Sequence, residues 1–162
     1  MKIKLLYYIM KDSSINIQDT ITRFKFNTIR EFIVVLVIMG IIDMIFLKII
    51  VDLIWKDMIK DIQVSAFKPN LAYIPIPYLL MTIGIVIFIL PHIREDNVLG
   101  DSIFYGGLLG LIIYGVFDST NLVLFSRYKL GVGILDTIWG VILFSVVTFL
   151  SKKTLLFFKD LL

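Results

Sequence analysis

The chain has 162 residues, of which 59% are hydrophobic and 18% are charged, and its mean hydropathy is +0.94. A soluble domain of this length could not bury so much apolar surface, so the composition excludes an ordinary soluble fold and indicates a protein embedded in a lipid bilayer. The chain has no cysteine, which excludes disulfides and thiolate sites, and its net charge of +3 comes without any nucleic-acid-binding motif.

Residues 1–30 form a basic arm before the first long apolar run. The apolar stretch LLYYIM is too short for the h-region of a signal peptide, and no small-residue cleavage site follows it. Ile17, Ile21 and Phe24 recur at helical spacing among charged residues, which predicts an amphipathic helix on the membrane surface. A disordered arm is the alternative.

Four apolar stretches are each long enough to cross a bilayer as a helix, and they cover about residues 32–53, 71–91, 102–125 and 132–150. No alternating strand pattern is present, and helices satisfy their own backbone hydrogen bonds in lipid. The sequence therefore predicts an all-α fold, an integral membrane bundle of four transmembrane helices over residues 31–151. An amphipathic tail, residues 152–162, is expected to extend the fourth helix along the membrane surface.

Lysine and arginine are distributed unevenly between the two sides of this predicted bundle. The side with both termini and the second loop has ten, whereas the side with the first and third loops has five, with Lys48 left out because it lies within a span. Positively charged loops stay in the cytoplasm. Both termini are therefore predicted to be cytoplasmic, and we call the side with the first and third loops the predicted outer face.

Ionisable side chains within the spans each raise the free energy of membrane insertion by roughly 2.5–3.5 kcal/mol, so each one needs a structural or functional explanation. They are Asp43, Lys48, Asp118 and Asp136. A helical rise of about 1.5 Å per residue places all three carboxylates in the half of the bundle between its middle and the predicted outer face. Lys48 is expected to extend to the outer interface and to pair with Asp52, its i+4 neighbour.

Other polar and small residues share helix faces with these carboxylates. Tyr114 and Asn121 share a face with Asp118, and Trp139 shares one with Asp136. A glycine accompanies each acidic face, which predicts close helix packing at Gly40, Gly110 and Gly140. The third loop, SRYKLG, is so short that helices three and four must be antiparallel neighbours, which brings two of the carboxylates near one another.

The notable residues of the second span are predicted to have structural roles. Tyr73 and Tyr78 are typical of the aromatic belt at a membrane interface. Pro91 ends or kinks the helix beside His92, the only histidine in the chain. Because His92 is predicted at the face opposite the acidic residues, neither a Ser-His-Asp triad nor a histidine-ligated metal site is predicted.

Several motifs follow one another in order over residues 42–140: IIDMIFL, WKDMI, IFILP, GGLLGLIIYGVFDSTNL and LDTIWG. With them the sequence resembles the uncharacterised membrane-protein family known as domain of unknown function 2177, and FDSTNL followed by LDTIWG is the most specific part. The resemblance implies four spans and no particular activity. By position it marks a polar signature of Asp43, Asp118, Thr120, Asn121, Asp136, Trp139 and Gly140. The sequence departs from the family in its basic arm and in Lys48.

The leading functional hypothesis is transport or binding of a small molecule, an ion or protons through an intramembrane carboxylate cluster. The candidate binding residues are Asp43, Tyr114, Asp118, Thr120, Asn121, Asp136 and Trp139. Because four helices are few for a monomeric transporter, a homo-oligomer is expected. The alternatives are an intramembrane enzyme acting on a lipid or isoprenoid, and a structural or assembly protein whose carboxylates fix helix packing. The predicted partners are the lipid bilayer and this unidentified ligand. No nucleic acid, cofactor or metal is predicted, and no catalytic residue can be assigned.

Overall fold

The protein is described by a computed structural model that covers the backbone of residues 27–161 and the side chains of this range except those of residues 27, 52, 160 and 161. Most of the predicted basic arm therefore lies outside the described residues. Within the described part of the chain, all regular structure is helical. This confirms the predicted all-α class.

The first span begins with helix α1 (Asn27–Ile50), continues through a π-helical turn (Val51–Trp55) and ends in the short helix α2 (Lys56–Gln63). Val35, Met39 and Asp43 follow one another at four-residue intervals and are buried, so they form the stripe that α1 turns toward the bundle.

Helix α2 is amphipathic and lies at the predicted outer face, where its one buried residue is Met58. The backbone amide of Lys129 donates to the Met58 sulfur over 3.5 Å, and Arg127 Nη1 donates to the Asp61 carbonyl over 2.8 Å. That carbonyl belongs to the last turn of α2, whose oxygens have no partners within the helix. The third loop therefore caps α2 and holds it against the bundle.

The second span has a 3₁₀ turn (Leu71–Tyr73), helix α3 (Pro75–Gly84), a π-helical segment (Ile85–Ile89) and a final 3₁₀ turn (Leu90–His92). Pro75 occupies the first turn of α3, where a missing amide donor costs little. Pro91 lies in the last turn, and the chain leaves the helix after His92, which confirms the prediction that this proline ends or kinks the helix.

The third span joins a short helix α4 (Val98–Asp101), a π-helical segment (Ser102–Gly106) and helix α5 (Gly107–Leu124). The buried Asp101 carboxylate accepts hydrogen bonds from the backbone amide and the guanidinium of Arg94. It accepts another from the side-chain amide of Asn97, and all these bonds measure between 2.9 and 3.0 Å. These bonds fix the second loop, so the second and third spans leave it in a defined geometry.

The fourth span is the single helix α6 (Leu130–Leu161). It is continuous through residues 152–161, the segment for which an amphipathic tail is predicted, so this segment extends the fourth helix without a break. Its most extensive partner is α5, as the short third loop predicts, and it also packs along α1. The apolar core lies where α6 meets the other spans, around Val35, Ile85, Phe144 and Val147.

Among the residues that the structure describes, four helices are long and apolar enough to cross a membrane: Thr28–Ile50, Leu71–His92, Val98–Leu124 and Leu130–Lys159. They overlap the four stretches predicted from the sequence. Large apolar side chains cover the outside of the bundle, among them Ile41, Leu80, Phe88 and Phe104. An apolar exterior of this extent fits a bundle surrounded by lipid, and the integral membrane location is thereby supported.

Glycines bring α5 and α6 into close contact. A methyl group added at Gly106 would lie 2.8 Å from the Phe144 carbonyl oxygen, and one at Gly110 would overlap the backbone of Gly140. A methyl group at Gly140 would overlap the ring of Tyr114. The predicted close packing is therefore confirmed at Gly110 and Gly140. It is wrong at Gly40, where an added methyl group would meet no described atom within 4 Å, because this position of α1 faces away from its neighbours.

The second and third spans approach each other at their π-helical segments. These two segments contact each other, whereas α3 and α5 make little contact further toward the predicted outer face. A π turn adds a residue to one helical turn, so it changes the direction in which the following side chains point. The two spans are thus in contact at their π segments and make little contact above them, where a space remains between them.

Candidate functional site

A pocket of about 380 Å³ lies in this space, between α1, α3, α5 and α6. All four spans contribute to its wall, which is mostly apolar. The lining residues are Asp43, Met44, Leu47, Ile74, Pro77, Tyr78, Met81, Ile113, Tyr114, Phe117 and Asp136. Its polar groups are thus two carboxylates and two tyrosine hydroxyls, and the set contains no lysine, arginine or histidine.

Asp43 lines the pocket from α1 and is only 4% exposed. Its Oδ2 accepts a hydrogen bond from the Tyr78 hydroxyl over 2.7 Å, and its Oδ1 accepts one from Trp139 Nε1 over 2.9 Å. The Trp139 ring is itself held by stacking on Phe46, with 3.8 Å between ring centroids and an angle of 7° between the planes. Asp43 therefore joins the first, second and fourth spans and is fully engaged by protein donors.

Asp136 reaches the pocket from α6 and is 8% exposed, so more than nine-tenths of the residue is buried. In contrast to Asp43, it accepts no hydrogen bond from any residue that the structure describes. The carboxylates of Asp118 and Asp43 both lie within electrostatic range of it. Buried carboxylates are normally hydrogen-bonded or paired with a cation, so the arrangement of Asp136 requires an explanation.

Tyr114 forms the wall of the pocket on α5. Its ring packs against Gly140, which leaves room for it, and meets Phe144 edge-on at 6.3 Å between ring centroids. Its hydroxyl makes no hydrogen bond within the described part of the chain. The pocket thus offers two polar groups that have no hydrogen-bond partner among the described residues, the Asp136 carboxylate and the Tyr114 hydroxyl.

Asp118 has different surroundings, although it is also buried, at 3% exposure. Its Oδ1 accepts a hydrogen bond from the Tyr128 hydroxyl over 2.5 Å, and its Oδ2 accepts one from Thr137 Oγ1 over 3.0 Å. Burial, together with this bond to a carboxylate, raises the pKa of the Tyr128 hydroxyl above its ordinary value. Asp118 does not line the 380 Å³ pocket; it borders a smaller one of about 220 Å³ between α5 and α6.

The candidate binding residues predicted from the sequence are thus divided by the structure. Asp43, Tyr114 and Asp136 line one pocket, and Trp139 supports it through Asp43. The others lie outside this pocket. Asp118 accepts hydrogen bonds from Tyr128 and Thr137, whereas Thr120 is exposed and Asn121 is half-buried. Neither Thr120 nor Asn121 lines either pocket.

Sequence reasoning missed three of the hydroxyl donors. Tyr78 was assigned to the interface belt, which is wrong, because its hydroxyl points inward to Asp43. Tyr128 and Thr137, the donors to Asp118, carried no signal of their own, although Thr137 directly follows Asp136 in the LDTIWG motif.

Two further sequence interpretations concern residues away from the pocket. Lys48 is exposed, and the side chain of its predicted partner Asp52 is outside the described residues, so their pairing stays a prediction. His92 is exposed and lies 5.7 Å, between ring centroids, from Tyr105. Among the described residues, no group of three or more His, Cys, Asp or Glu side chains is placed to hold a metal ion.

Replacing Tyr128 by phenylalanine is expected to destabilise the bundle by about 2 kcal/mol, because Asp118 loses the donor to one of its two oxygens in a buried environment. Thermal unfolding of the purified protein in detergent measures the change. Tyr73→Phe is the matched control, since Tyr73 is 65% exposed and its substitution should change stability by less than about 0.5 kcal/mol. Equal melting of the two variants would mean that Asp118 does not depend on Tyr128.

Fold and surface together define a small multi-pass helical membrane protein with an acidic pocket between its spans. The chain belongs to the family described as predicted membrane protein (DUF2177), whose sequence model matches residues 28–152. This match confirms the resemblance drawn from the sequence motifs. No curated protein and no solved structure matches the chain.

Proposed function

We propose that the protein binds a small amphiphilic molecule in the 380 Å³ pocket and serves its transport across, or its retention in, the membrane. The observation that supports this most directly is Asp136, a carboxylate that is more than nine-tenths buried in the pocket wall and has no described hydrogen-bond donor. A buried polar group without a hydrogen-bond partner is costly, and a bound ligand that supplies the partner removes that cost.

The shape and lining of the pocket agree with such a ligand. Its volume is at the lower end of the range of small-molecule sites. Apolar side chains such as Met44, Leu47 and Phe117 form most of the wall, whereas the polar groups without protein partners are Asp136 and Tyr114. Binding sites commonly combine an apolar wall with a few placed polar groups that fix orientation.

The route of entry in this proposal is lateral, from the lipid. Because α3 and α5 make little contact above their π segments, the pocket opens between the second and third spans. Ile74 and Pro77 line it on one span, and Ile113 and Phe117 line it on the other. An amphiphile dissolved in the bilayer can approach through such an apolar opening without leaving the lipid.

Asp118 has a structural role in this proposal, since both of its oxygens are engaged by donors of the α5–α6 hairpin. The proposed ligand site thus consists of Asp43, Tyr78, Tyr114 and Asp136 with their apolar neighbours, and it is smaller than the cluster predicted from the sequence. Cytoplasmic termini and a homo-oligomer remain predictions.

Blocking the pocket tests the proposal. Three ligands of similar size, benzylammonium, benzyl alcohol and benzoate, are added to the protein in lipid nanodiscs, and the melting temperature is recorded. At least one of them is expected to stabilise the wild type, by about 2.7 kcal/mol at a hundredfold excess over its Kd. Met81→Trp fills the pocket from α3 and should abolish this stabilisation.

The matched control is Ile83→Trp, because Ile83 lies two residues further along the same helix, is 40% exposed and does not line the pocket. This variant should respond to the ligand as the wild type does. The proposal is contradicted if none of the three compounds stabilises the wild type, or if the stabilisation persists in Met81→Trp.

A further inference from the structure

We infer that the ligand of this pocket is a protonated amine carrying a small apolar body, an inference that rests on the function proposed above. Three features of the site lead to it: the sign of the charge around the pocket, the division of hydrogen-bond donors between its two carboxylates, and the aromatic side chains that surround them.

Charge selects against anions. The pocket is lined by the carboxylates of Asp43 and Asp136, and Asp118 lies close enough to act on Asp136. Its lining residues include no cationic side chain. In a medium of low dielectric constant, interactions between charges are strong, so an anion is repelled and a cation is attracted.

Hydrogen bonding selects for a ligand that carries N–H groups. Asp43 already receives one donor on each oxygen, from Tyr78 and Trp139, so both of its oxygens are engaged by the protein. Asp136 receives none from the described residues, and in its ionised form it can only accept. An ammonium group supplies both the missing donor and the opposite charge, and such charge-assisted bonds are about twice as strong as neutral ones.

The aromatic lining accommodates the same group. Tyr78, Tyr114 and Phe117 border the pocket from two spans, and the Tyr114 hydroxyl is available to accept a second N–H. Aromatic faces attract cations within about 6 Å of the ring centroid. A quaternary ammonium ion would use these faces equally well, but it has no N–H for Asp136, so the two kinds of cation can be distinguished by experiment.

The experiment compares three probes that share the benzyl group: benzylammonium, benzyl alcohol and benzyltrimethylammonium. Their affinities for the protein in nanodiscs are measured by titration calorimetry, with Met81→Trp subtracted as the background. Benzylammonium is expected to bind at least about tenfold more tightly than either of the others, because it alone provides both a charge and N–H donors.

Asp136→Asn tests the assignment of the recognising group. The affinity of this variant for benzylammonium should fall about tenfold, to the level of benzyl alcohol, whereas its affinity for benzyl alcohol should change less than twofold. Asp57→Asn, which removes an exposed carboxylate of α2, is the control and should leave both affinities unchanged. If Asp136→Asn does not fold, Asp136→Glu is used, which keeps the charge and should retain the preference for the ammonium ion.

Each other outcome would refute a different claim about the pocket. Equal binding of benzyl alcohol and benzylammonium would refute the ammonium ligand while leaving the small-molecule pocket in place. Equal binding of benzyltrimethylammonium would refute the N–H bond to Asp136, and so would an unchanged preference in Asp136→Asn. Absence of any binding that Met81→Trp removes would refute the proposed function itself.

Discussion

Gly110→Ala is expected to destabilise the bundle by about 3 kcal/mol or more. The added methyl group would overlap the backbone of Gly140 and come within 3.1 Å of the Phe144 Cβ. Overpacking of a core typically costs 1–3 kcal/mol, and the upper end of this range applies where the obstacle is backbone instead of a flexible side chain. To make room, α5 and α6 would have to separate, and the contacts on both sides of the glycine would be lost.

Thermal unfolding in detergent measures this effect, and the chain provides two matched controls. Gly115→Ala lies five residues further along α5, where the new methyl group would meet Thr137 Cγ2 at an ordinary 3.8 Å. Gly40→Ala lies in α1, where no described atom is within 4 Å. Neither change should destabilise the bundle, and the higher helix propensity of alanine should stabilise it by up to about 1 kcal/mol. If Gly110→Ala melts together with its controls, the two helices do not approach each other as closely as described.

These glycines also show what the sequence can and cannot determine about packing. A glycine on a polar helix face indicates that a close approach is possible, and the short third loop identifies the partner of α5. Gly110 and Gly140 were predictable because both conditions hold for them. Gly40 satisfies only the first, since the long connection between the first and second spans does not determine how α1 is rotated, and the prediction for it is wrong.

The four spans were predictable because hydrophobicity over about 20 residues is required by the thickness of the bilayer and does not depend on tertiary contacts. The π-helical segments were not. Ile85–Ile89 and Ser102–Gly106 carry no sequence signal for the extra residue in the turn, which depends on packing between neighbouring helices. The inward orientation of Tyr78 depends on how α3 is rotated against α1, which the sequence does not determine either.

The sequence indicated which residues could form the candidate site, but it did not indicate which of them lie together in the fold. Buried carboxylates within spans are costly, so Asp43, Asp118 and Asp136 stood out from the sequence alone. What separates them is the position of their donors. Tyr128 lies in the third loop and reaches back to Asp118, and Tyr78 reaches Asp43 from another span. Such contacts between distant residues become apparent only in the folded chain.

Asp43→Ala is expected to have an effect of similar size, about 2–5 kcal/mol, because it leaves two donors unsatisfied at once. The Tyr78 hydroxyl and Trp139 Nε1 both give their hydrogen bonds to this carboxylate. A buried donor without an acceptor costs about 1–3 kcal/mol, and more where the lost acceptor was charged. Asp43→Asn keeps one acceptor oxygen and should fall between Asp43→Ala and the wild type.

A double-mutant cycle separates this effect from simple loss of packing. Tyr78→Phe removes one donor, so combining it with Asp43→Ala should cost clearly less than the sum of the two single changes, by about 1 kcal/mol or more. Thermal unfolding in detergent provides all four corners of the cycle. Additive single changes would mean that the two side chains do not interact. A total cost of Asp43→Ala below about 1 kcal/mol would mean that water from the pocket accepts both bonds, because Tyr78 lines the pocket and water there can replace the carboxylate as acceptor.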